Sequence, residues 1–174
     1  MKKLIVILLF IVGTVGVKAQ SVRRTADSIK LVAAKKELTT FLQVADSVGL
    51  KAELSSGKPF TILAPDDRAF ALWLSDSTKS SAYLKAGAKQ KLTTLMQGHV
   101  VIGNLISKNI YTAIRQNNGE AKFTTLAGTS LMFKINASRN IVLVDEKGVE
   151  HVVKQFDMPY DKSAELFIID SVIN

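Results

Sequence analysis

The chain has 174 residues, a formal net charge of +8, two histidines and no cysteine. The lack of cysteine excludes disulfides, thiol catalysis and a lipid-modified N-terminal cysteine. The length is enough for one domain with a sizeable core, and that core must be stabilised by packing alone.

The N-terminus has the layout of a secretory signal peptide. Lys2 and Lys3 precede an apolar run over residues 4–12, and a Val-Lys-Ala triplet ends the segment at Ala19. We therefore expect a signal peptide over residues 1–19, cleaved after its last residue. The alternative is a membrane anchor, but the apolar core is shorter than the ~20 residues that a spanning helix needs. Cleavage predicts a soluble, exported protein, periplasmic or extracellular, with a net charge of +5, because the removed segment carries three lysines and no acidic residue.

The rest of the chain is predicted to form a short leader and one domain. Residues 20–26 are polar, and residues 27–174 contain no internal repeat and no low-complexity segment. Apolar residues recur at three- and four-residue steps between Leu38 and Val48, which predicts an amphipathic helix. A cluster of helix-breaking residues at 55–59 ends this helical region.

A strand-to-helix corner follows. Its first four residues, Phe-Thr-Ile-Leu from position 60, are apolar and rich in β-branching, which predicts a buried strand. Pro65 ends the strand because it has no backbone N–H, and Asp66 is a candidate N-cap for the next helix. Asp67 adds negative charge at the positive end of that helix, which continues through Phe70.

Farther along the chain, a second amphipathic helix is followed by strands. Apolar residues between Ala88 and His99 share one helical face, and this helix is expected to end near Gly98. After Gly103 the pattern changes to short apolar runs separated by turn signals, which predict strands over residues 123–126, 131–135, 141–144 and 151–156. Helices first and strands later indicate an α+β domain.

The corner resembles the first signature segment of fasciclin-like domains, F-T-V-F-A-P-T-[ND]-x-A-F. Seven residues fall on this pattern at fixed spacing: Phe60, Thr61, Ala64, Pro65, Asp67, Ala69 and Phe70. Asp66 stands where the family usually has threonine, which exchanges one good helix cap for another.

A second stretch also matches the family. Residues 92–101 resemble the motif L-x-x-[IL]-L-x-Y-H-V-V, with Leu95, His99 and Val100 in their places. The tyrosine of that motif is Gly98 in this chain.

Two later stretches follow in the family's order. Residues 125–131 resemble the strand pair T-L-x-G-x-x-L through Gly128. Residues 167–173 resemble the last strand, H-V-I-D-x-V-L, with Asp170 in place and Phe167 where histidine is usual.

Residues 148–153 also read like the family's ending, G-V-I-H-V-I. They lack the aspartate, however, and would leave the strand-like segment 166–173 unassigned. The final strand is therefore predicted at the C-terminus, and the resemblance runs from about Thr25 to the end of the chain.

The resemblance implies a twisted β-sandwich or wedge with several helices packed along one side. It also implies a binding module of the cell surface, the matrix or a biofilm, whose motif residues are mainly structural. In some animal members the Tyr-His segment is implicated in adhesion. Here the tyrosine is missing, and His99 at the end of an apolar helical face is expected to be a hydrogen-bonded core residue.

Recognisable catalytic motifs are absent from the sequence. No G-x-S-x-G elbow presents a serine, and the two histidines, 52 residues apart, have no metal-ligand spacing. His151, between Glu150 and Val152 in a predicted strand, is expected to face solvent or lie at a sheet edge. We therefore predict no catalytic, cofactor-binding or metal-binding residue, and an uncharted hydrolase is the least favoured alternative.

Charge is the main surface signal. Between Ser77 and Gly119 there are six basic residues and no acidic one, and Lys85, Lys89 and Lys91 are the candidate polyanion-binding residues. The alternative is a solvated face of a basic protein. Nucleic acid is not expected as a partner, because the aromatic residues lie in apolar patterns rather than beside the lysines.

The sequence thus predicts a secreted, non-enzymatic binding or adhesion module. Its expected partner is a cell-surface or matrix component, either a protein or an acidic glycan, or a lipid. The alternative is a carrier that holds a small apolar ligand or a lipid between its helices and its sheet. After signal cleavage, the product is not expected to be an integral membrane protein.

Overall fold

The computed structural model describes residues 31–54 and 56–174. The predicted signal peptide over residues 1–19 and leader over residues 20–26 lie outside the described residues. Residues 31–37 are helical. Within the described part of the chain the helices that follow are α1 Thr39–Ser47, α2 Leu50–Leu54, α3 Asp67–Ser75, α4 Ser77–Leu84, α5 Lys89–Gln97 and α6 Ser107–Gln116.

The strands of the described chain form one sheet. They are β1 Phe60–Pro65, β2 Val100–Ile102, β3 Glu120–Thr124, β4 Ser130–Ile135, β5 Ile141–Val144, β6 Glu150–Pro159 and β7 Ala164–Ile169. The spatial order is β2-β1-β7-β6-β5-β4-β3, and all neighbours are antiparallel except β1 and β7, which are parallel.

The two ends of this sheet approach each other. Val101 of β2 forms an antiparallel bridge with Thr125, just after β3. The next amide, that of Leu126, donates to the Val100 carbonyl at 2.8 Å. The sheet is therefore wrapped into a near-barrel with helices against it, and the predicted α+β class is confirmed.

Strands β1 and β7 pack against two separate cores. Ile62 of β1 and Leu166 of β7 belong to a first core with side chains of α1, α3 and α5. Their neighbours Leu63 and Phe167 belong to a second core with side chains of α6 and of strands β3 to β6. A nearly continuous apolar run, rather than strict alternation, is what a parallel pair covered on both faces requires.

The strand-to-helix corner has the structure that its sequence predicts. Asp66 caps α3, since its carboxylate accepts from the Ala69 amide at 2.8 Å and from Lys154 of β6 at 2.5 Å. Burial alone would raise the pKa of Asp66, but the hydrogen bonds from Lys154 and Ala69 outweigh it and hold the pKa below its ordinary value. The Phe70 ring is buried, 6.3 Å from the ring of Phe41 in α1.

Asp67 caps a different helix from the one in which it lies. Its carboxylate accepts from the amide of Thr40 at 2.7 Å and from that of Thr39 at 3.3 Å, at the start of α1. Leu38, the residue before α1, provides no side-chain cap. The second aspartate of the signature thus satisfies the orphan amides of a helix 27 residues earlier.

The prediction of strands alone after the second amphipathic helix is wrong, because α6 lies between β2 and β3. Ile110 and Ile114, one helical turn apart, are buried in the second core. The preceding residue, Ile106, provides no side-chain cap. The Ser107 amide instead donates at 2.6 Å to Asp157 of β6, 50 residues away, so no local capping signal marks the start of this helix.

The predicted strands of the second half are present with shifted bounds. The first runs over Glu120–Thr124 rather than 123–126, and β6 continues to Pro159. Residues 148–153 form a turn and the start of β6. β7, at Ala164–Ile169, confirms a final strand in the C-terminal segment, but it ends four residues before the predicted end at residue 173.

Phe70→Ala should lower the free energy of unfolding by about 3–5 kcal/mol, because a large buried aromatic ring is lost from the first core. Asp66→Ala should lower it by only about 1–2 kcal/mol, because one cap and one partly exposed ion pair are removed. Urea denaturation of both variants measures the difference. Equal and mild losses would show that the ring does not anchor the corner.

Candidate functional site

The signature residues of β1 are used for structure. Four of them are buried within the strand: Phe60, Thr61, Ala64 and Pro65. The Thr61 hydroxyl donates to the Gly103 carbonyl at 2.7 Å and accepts from the Leu105 amide at 2.8 Å. This side chain therefore ties the loop after β2 to β1.

Gly128 and Asp170 also hold connections between strands. Gly128 has a φ of 80° in the turn between β3 and β4, a conformation that favours glycine. Asp170 accepts from the Val152 amide at 2.8 Å and from the Ser171 hydroxyl at 2.9 Å, which fixes the end of β7 against β6.

His99 is a buried, neutral side chain. Its Nε2 accepts from the Ile173 amide at 3.0 Å, so its Nδ1 carries the proton and donates to the Leu95 carbonyl at 2.9 Å. Burial lowers the pKa of His99 to about 4, because a charged imidazole would lose its hydration here. The ring thus connects α5 to the C-terminal segment. Its motif neighbours Leu95 and Val100 are buried as well.

The prediction that His151 faces solvent or lies at a sheet edge is wrong. β6 is an interior strand between β5 and β7, and His151 is only 1% exposed. Its Nδ1 lies 2.7 Å from the Ser171 hydroxyl, and its Nε2 lies 3.6 Å from the Asp145 carboxylate without a hydrogen bond. Burial lowers the pKa of His151, although the Asp145 and Asp170 carboxylates act in the opposite direction.

Ser171, His151 and Asp145 are the residue types of a serine–histidine–aspartate triad, but the ring nitrogens are exchanged, since Nδ1 faces the serine and Nε2 faces the carboxylate. The serine hydroxyl donates to Asp170 at 2.9 Å rather than to the imidazole, and the imidazole is closed to solvent. The contacts therefore connect the C-terminal segment to the β5–β6 turn. Sequence reasoning missed this cluster because its members are brought together by strand pairing rather than by a motif.

The three candidate lysines lie at the start of α5. Lys85 follows α4, Lys89 and Lys91 belong to the first turn of α5, and all three are exposed. None forms an ion pair with a described residue, whereas Lys79 of the same basic stretch pairs with Asp76 at 3.2 Å. Because α5 begins without a capping side chain or an acidic first turn, its positive dipole end adds to the charge of these lysines.

A groove of about 550 Å³, which we call the Gly98 groove, opens next to Lys91. Its walls come from α4, α5, the β3–β4 turn with the start of β4, the β5–β6 turn and residues 173–174. The apolar side chains in it include Tyr83, Leu95 and Leu131. The missing tyrosine at Gly98 is the one sequence signal that could have located this groove, because the other walls are far apart in the chain.

Within residues 31–54 and 56–174, no group of three or more histidine, aspartate or glutamate side chains could hold a metal ion. Across the same residues, no helix is both long enough and apolar enough to cross a bilayer. The groups available around the Gly98 groove are therefore amines, amides, hydroxyls and engaged carboxylates beside an apolar surface.

Comparison with known proteins gives three consistent findings. The family model described as Fasciclin domain matches residues 36–174. Protein sll1483 from Synechocystis sp. is 31% identical over 154 residues, which cover 83% of this chain and 80% of that protein. A solved FAS1 domain pair from the insect cell adhesion molecule fasciclin I is similar in fold, with a TM-score of 0.62 and 21% identity. That match covers 79% of this chain and 45% of the domain pair, so this chain spans less than half of its length.

The stability of the protein should fall in acid because of His99. Its pKa is about 4 in the folded chain against an ordinary value of 6.5, so the unfolded chain takes up the proton first. The free energy of unfolding should therefore decrease as the pH falls from about 6.5 to about 4, by on the order of 3 kcal/mol.

Chemical denaturation at a series of pH values measures this loss in the wild type and in His99→Gln. The variant cannot titrate at this position, so it should lack this part of the pH dependence while retaining the part due to His151 and the carboxylates. Parallel pH profiles for the two proteins would contradict the assignment.

Proposed function

Because the chain belongs to the fasciclin domain family, we propose that it is an exported, non-enzymatic binding module of the cell surface, the matrix or a biofilm. Fasciclin domains are in general modules of the cell-adhesion type, and the insect protein of similar fold is a cell adhesion molecule. In this chain the signature residues are buried or hydrogen-bonded within the fold. The partner is therefore recognised by other surfaces.

The unpaired lysines at the start of α5 are the observation that carries the choice of partner. Lys85, Lys89 and Lys91 are exposed, and no described carboxylate neutralises them. Long-range attraction to a negatively charged chain needs several uncompensated cations close together. An acidic polysaccharide of the envelope or matrix fits this requirement.

Binding rather than catalysis is supported by the state of the two histidines. His99 uses both ring nitrogens in hydrogen bonds within the core. His151 is enclosed between Ser171 and Asp145. Neither imidazole is placed to exchange protons with a bound substrate.

A carrier of a small apolar molecule is the second candidate function. The Gly98 groove supports it, since its volume lies in the range of small-molecule sites, about 300–1,000 Å³. A carrier and a surface-binding module are compatible in one domain, because the lysines and the groove are largely distinct.

Export predicts that the mature protein begins at Gln20. The N-terminal pattern of two lysines, an apolar run and a Val-Lys-Ala end is typical of a cleaved signal. Mass spectrometry of the N-terminal peptide, from protein recovered outside the cytoplasm of the native host, checks this. Recovery of a membrane-bound form that retains Met1 would contradict it.

Binding of the mature protein to immobilised alginate, an acidic polysaccharide, should weaken steeply with salt. Exposed charges are screened beyond about 8 Å at physiological ionic strength. The triple variant Lys85→Gln, Lys89→Gln and Lys91→Gln should elute at clearly lower salt than the wild type, with a nearly unchanged unfolding midpoint.

The matched control is a triple variant of exposed lysines on other elements: Lys58→Gln, Lys122→Gln and Lys162→Gln. It changes the net charge by the same amount and should retain most of the binding. Equal losses of alginate binding in the two triple variants would show that binding depends on net charge alone and not on these three positions. Salt-insensitive binding would remove the electrostatic basis of the proposal.

A further inference from the structure

The Gly98 groove has the size and composition of a small-molecule site. Its walls include Tyr83, Leu95, Leu131 and Ile173, so apolar surface predominates in it. Apolar surface left in contact with water is unfavourable by roughly 25 cal/mol per Å². A ligand with an apolar body would remove that contact.

Gly98 lines the groove and contributes no side chain to it. Gly98 has φ −64° and ψ −19°, which are ordinary values for any residue. A Cβ added there would lie 3.1 Å from the Leu95 carbonyl oxygen and 3.6 Å from that of Thr94, both in the preceding turn. No atom from the opposite walls of the groove comes within 4 Å of it. A tyrosine at this position, as in the family motif, would therefore extend into the space that the groove now offers.

The hydrogen-bond acceptors around the groove are largely engaged. Glu146 accepts from the Ser130 amide at 3.0 Å, and Asp145 accepts from the Lys147 and Val149 amides at 2.9 and 2.8 Å. The side-chain oxygen of Asn174 accepts from the Tyr83 hydroxyl at 2.6 Å. These three side chains therefore already take part in hydrogen bonds within the fold.

The cationic donors are in the opposite situation. Lys91 on α5 and Lys147 on the β5–β6 turn both line the groove and are exposed. Neither amine forms an ion pair with a described residue. A ligand that brings a negatively charged acceptor group would therefore satisfy them.

We propose that the Gly98 groove binds an amphipathic anion, namely a fatty carboxylate whose chain lies on the apolar wall and whose headgroup meets Lys91 and Lys147. This proposal rests on the second candidate function, the carrier, and names its ligand class; the site shares only Lys91 with the surface-binding role. Asp145 and Glu146 also line the groove, and their carboxylates disfavour an anion there. Replacement of the exposed Glu146 therefore tests the sign of the charge preference.

The lone tryptophan provides a direct reporter of occupancy. The ring of Trp73 lies 5.6 Å from that of Tyr83, which lines the groove. Titration of the mature protein with laurate, below its micelle concentration, should shift the tryptophan emission to saturation at one equivalent. Dodecanol should bind more weakly, and dodecyltrimethylammonium should bind most weakly. Unchanged circular dichroism excludes denaturation by the amphiphile.

Variants at the groove test its location. Gly98→Tyr should abolish laurate binding by filling the groove. Gly98→Ala is the matched control, since it adds the same Cβ beside Leu95 but leaves the space open, and it should retain binding. Laurate affinity that is equal in these two variants would overturn the location.

Two exposed side chains test the charge preference without threatening the fold. Lys91→Gln should weaken laurate binding roughly two- to fivefold, the range of an exposed ion pair, and Glu146→Gln should strengthen it by a similar factor. Lys122→Gln, on β3, should have no effect. No saturable response to laurate, a preference for the cationic amphiphile, or reversed signs for the two variants would each overturn the proposal.

The same variants separate this site from the proposed function. The double variant Lys85→Gln and Lys89→Gln should weaken binding to alginate and leave laurate binding intact. Gly98→Tyr should abolish laurate binding and leave binding to alginate intact. Loss of either activity therefore leaves the other one open to test by itself.

Discussion

The parallel pairing of β1 with β7 is the constraint on which the rest of the structure depends. Their six-residue register holds the second and third positions in the order of the seven strands, and its two faces contribute to two separate cores. Helices α1, α3 and α5 cover one face, while α6 and the outer strands cover the other. Since the chain has no cysteine, no disulfide can replace this packing.

The family signatures mark the places where other elements are joined to this pair of strands. Asp66 caps the helix that follows β1, and Asp67 caps α1. His99 connects α5 to residue 173 through a hydrogen bond that only the neutral ring can accept. These polar side chains are committed to the fold, so we propose recognition on other surfaces, by the lysines at the start of α5 and in the Gly98 groove. The groove exists where this chain departs from the signature.

The sequence predicted those features whose causes are local, and it missed those whose causes are distant in the chain. The corner was predictable because strand, proline stop and cap follow one another within eleven residues. Helix α6 was missed because its cap is Asp157, and His151 was misplaced because Ser171 and Asp145 enclose it. The groove has walls from five segments, so only the missing tyrosine at Gly98 could have indicated it.

Native-state hydrogen exchange at residue resolution tests the central role of the β1–β7 pair most directly. The Leu63 amide, which donates to the His99 carbonyl at 2.8 Å, and the amides paired between β1 and β7 should exchange only through global unfolding. Their exchange free energies should equal the free energy of unfolding from denaturation, with the same denaturant dependence. Slower exchange in β3 and β4 than in β1 and β7 would contradict the account, because the outer strands would then form the most stable part of the fold.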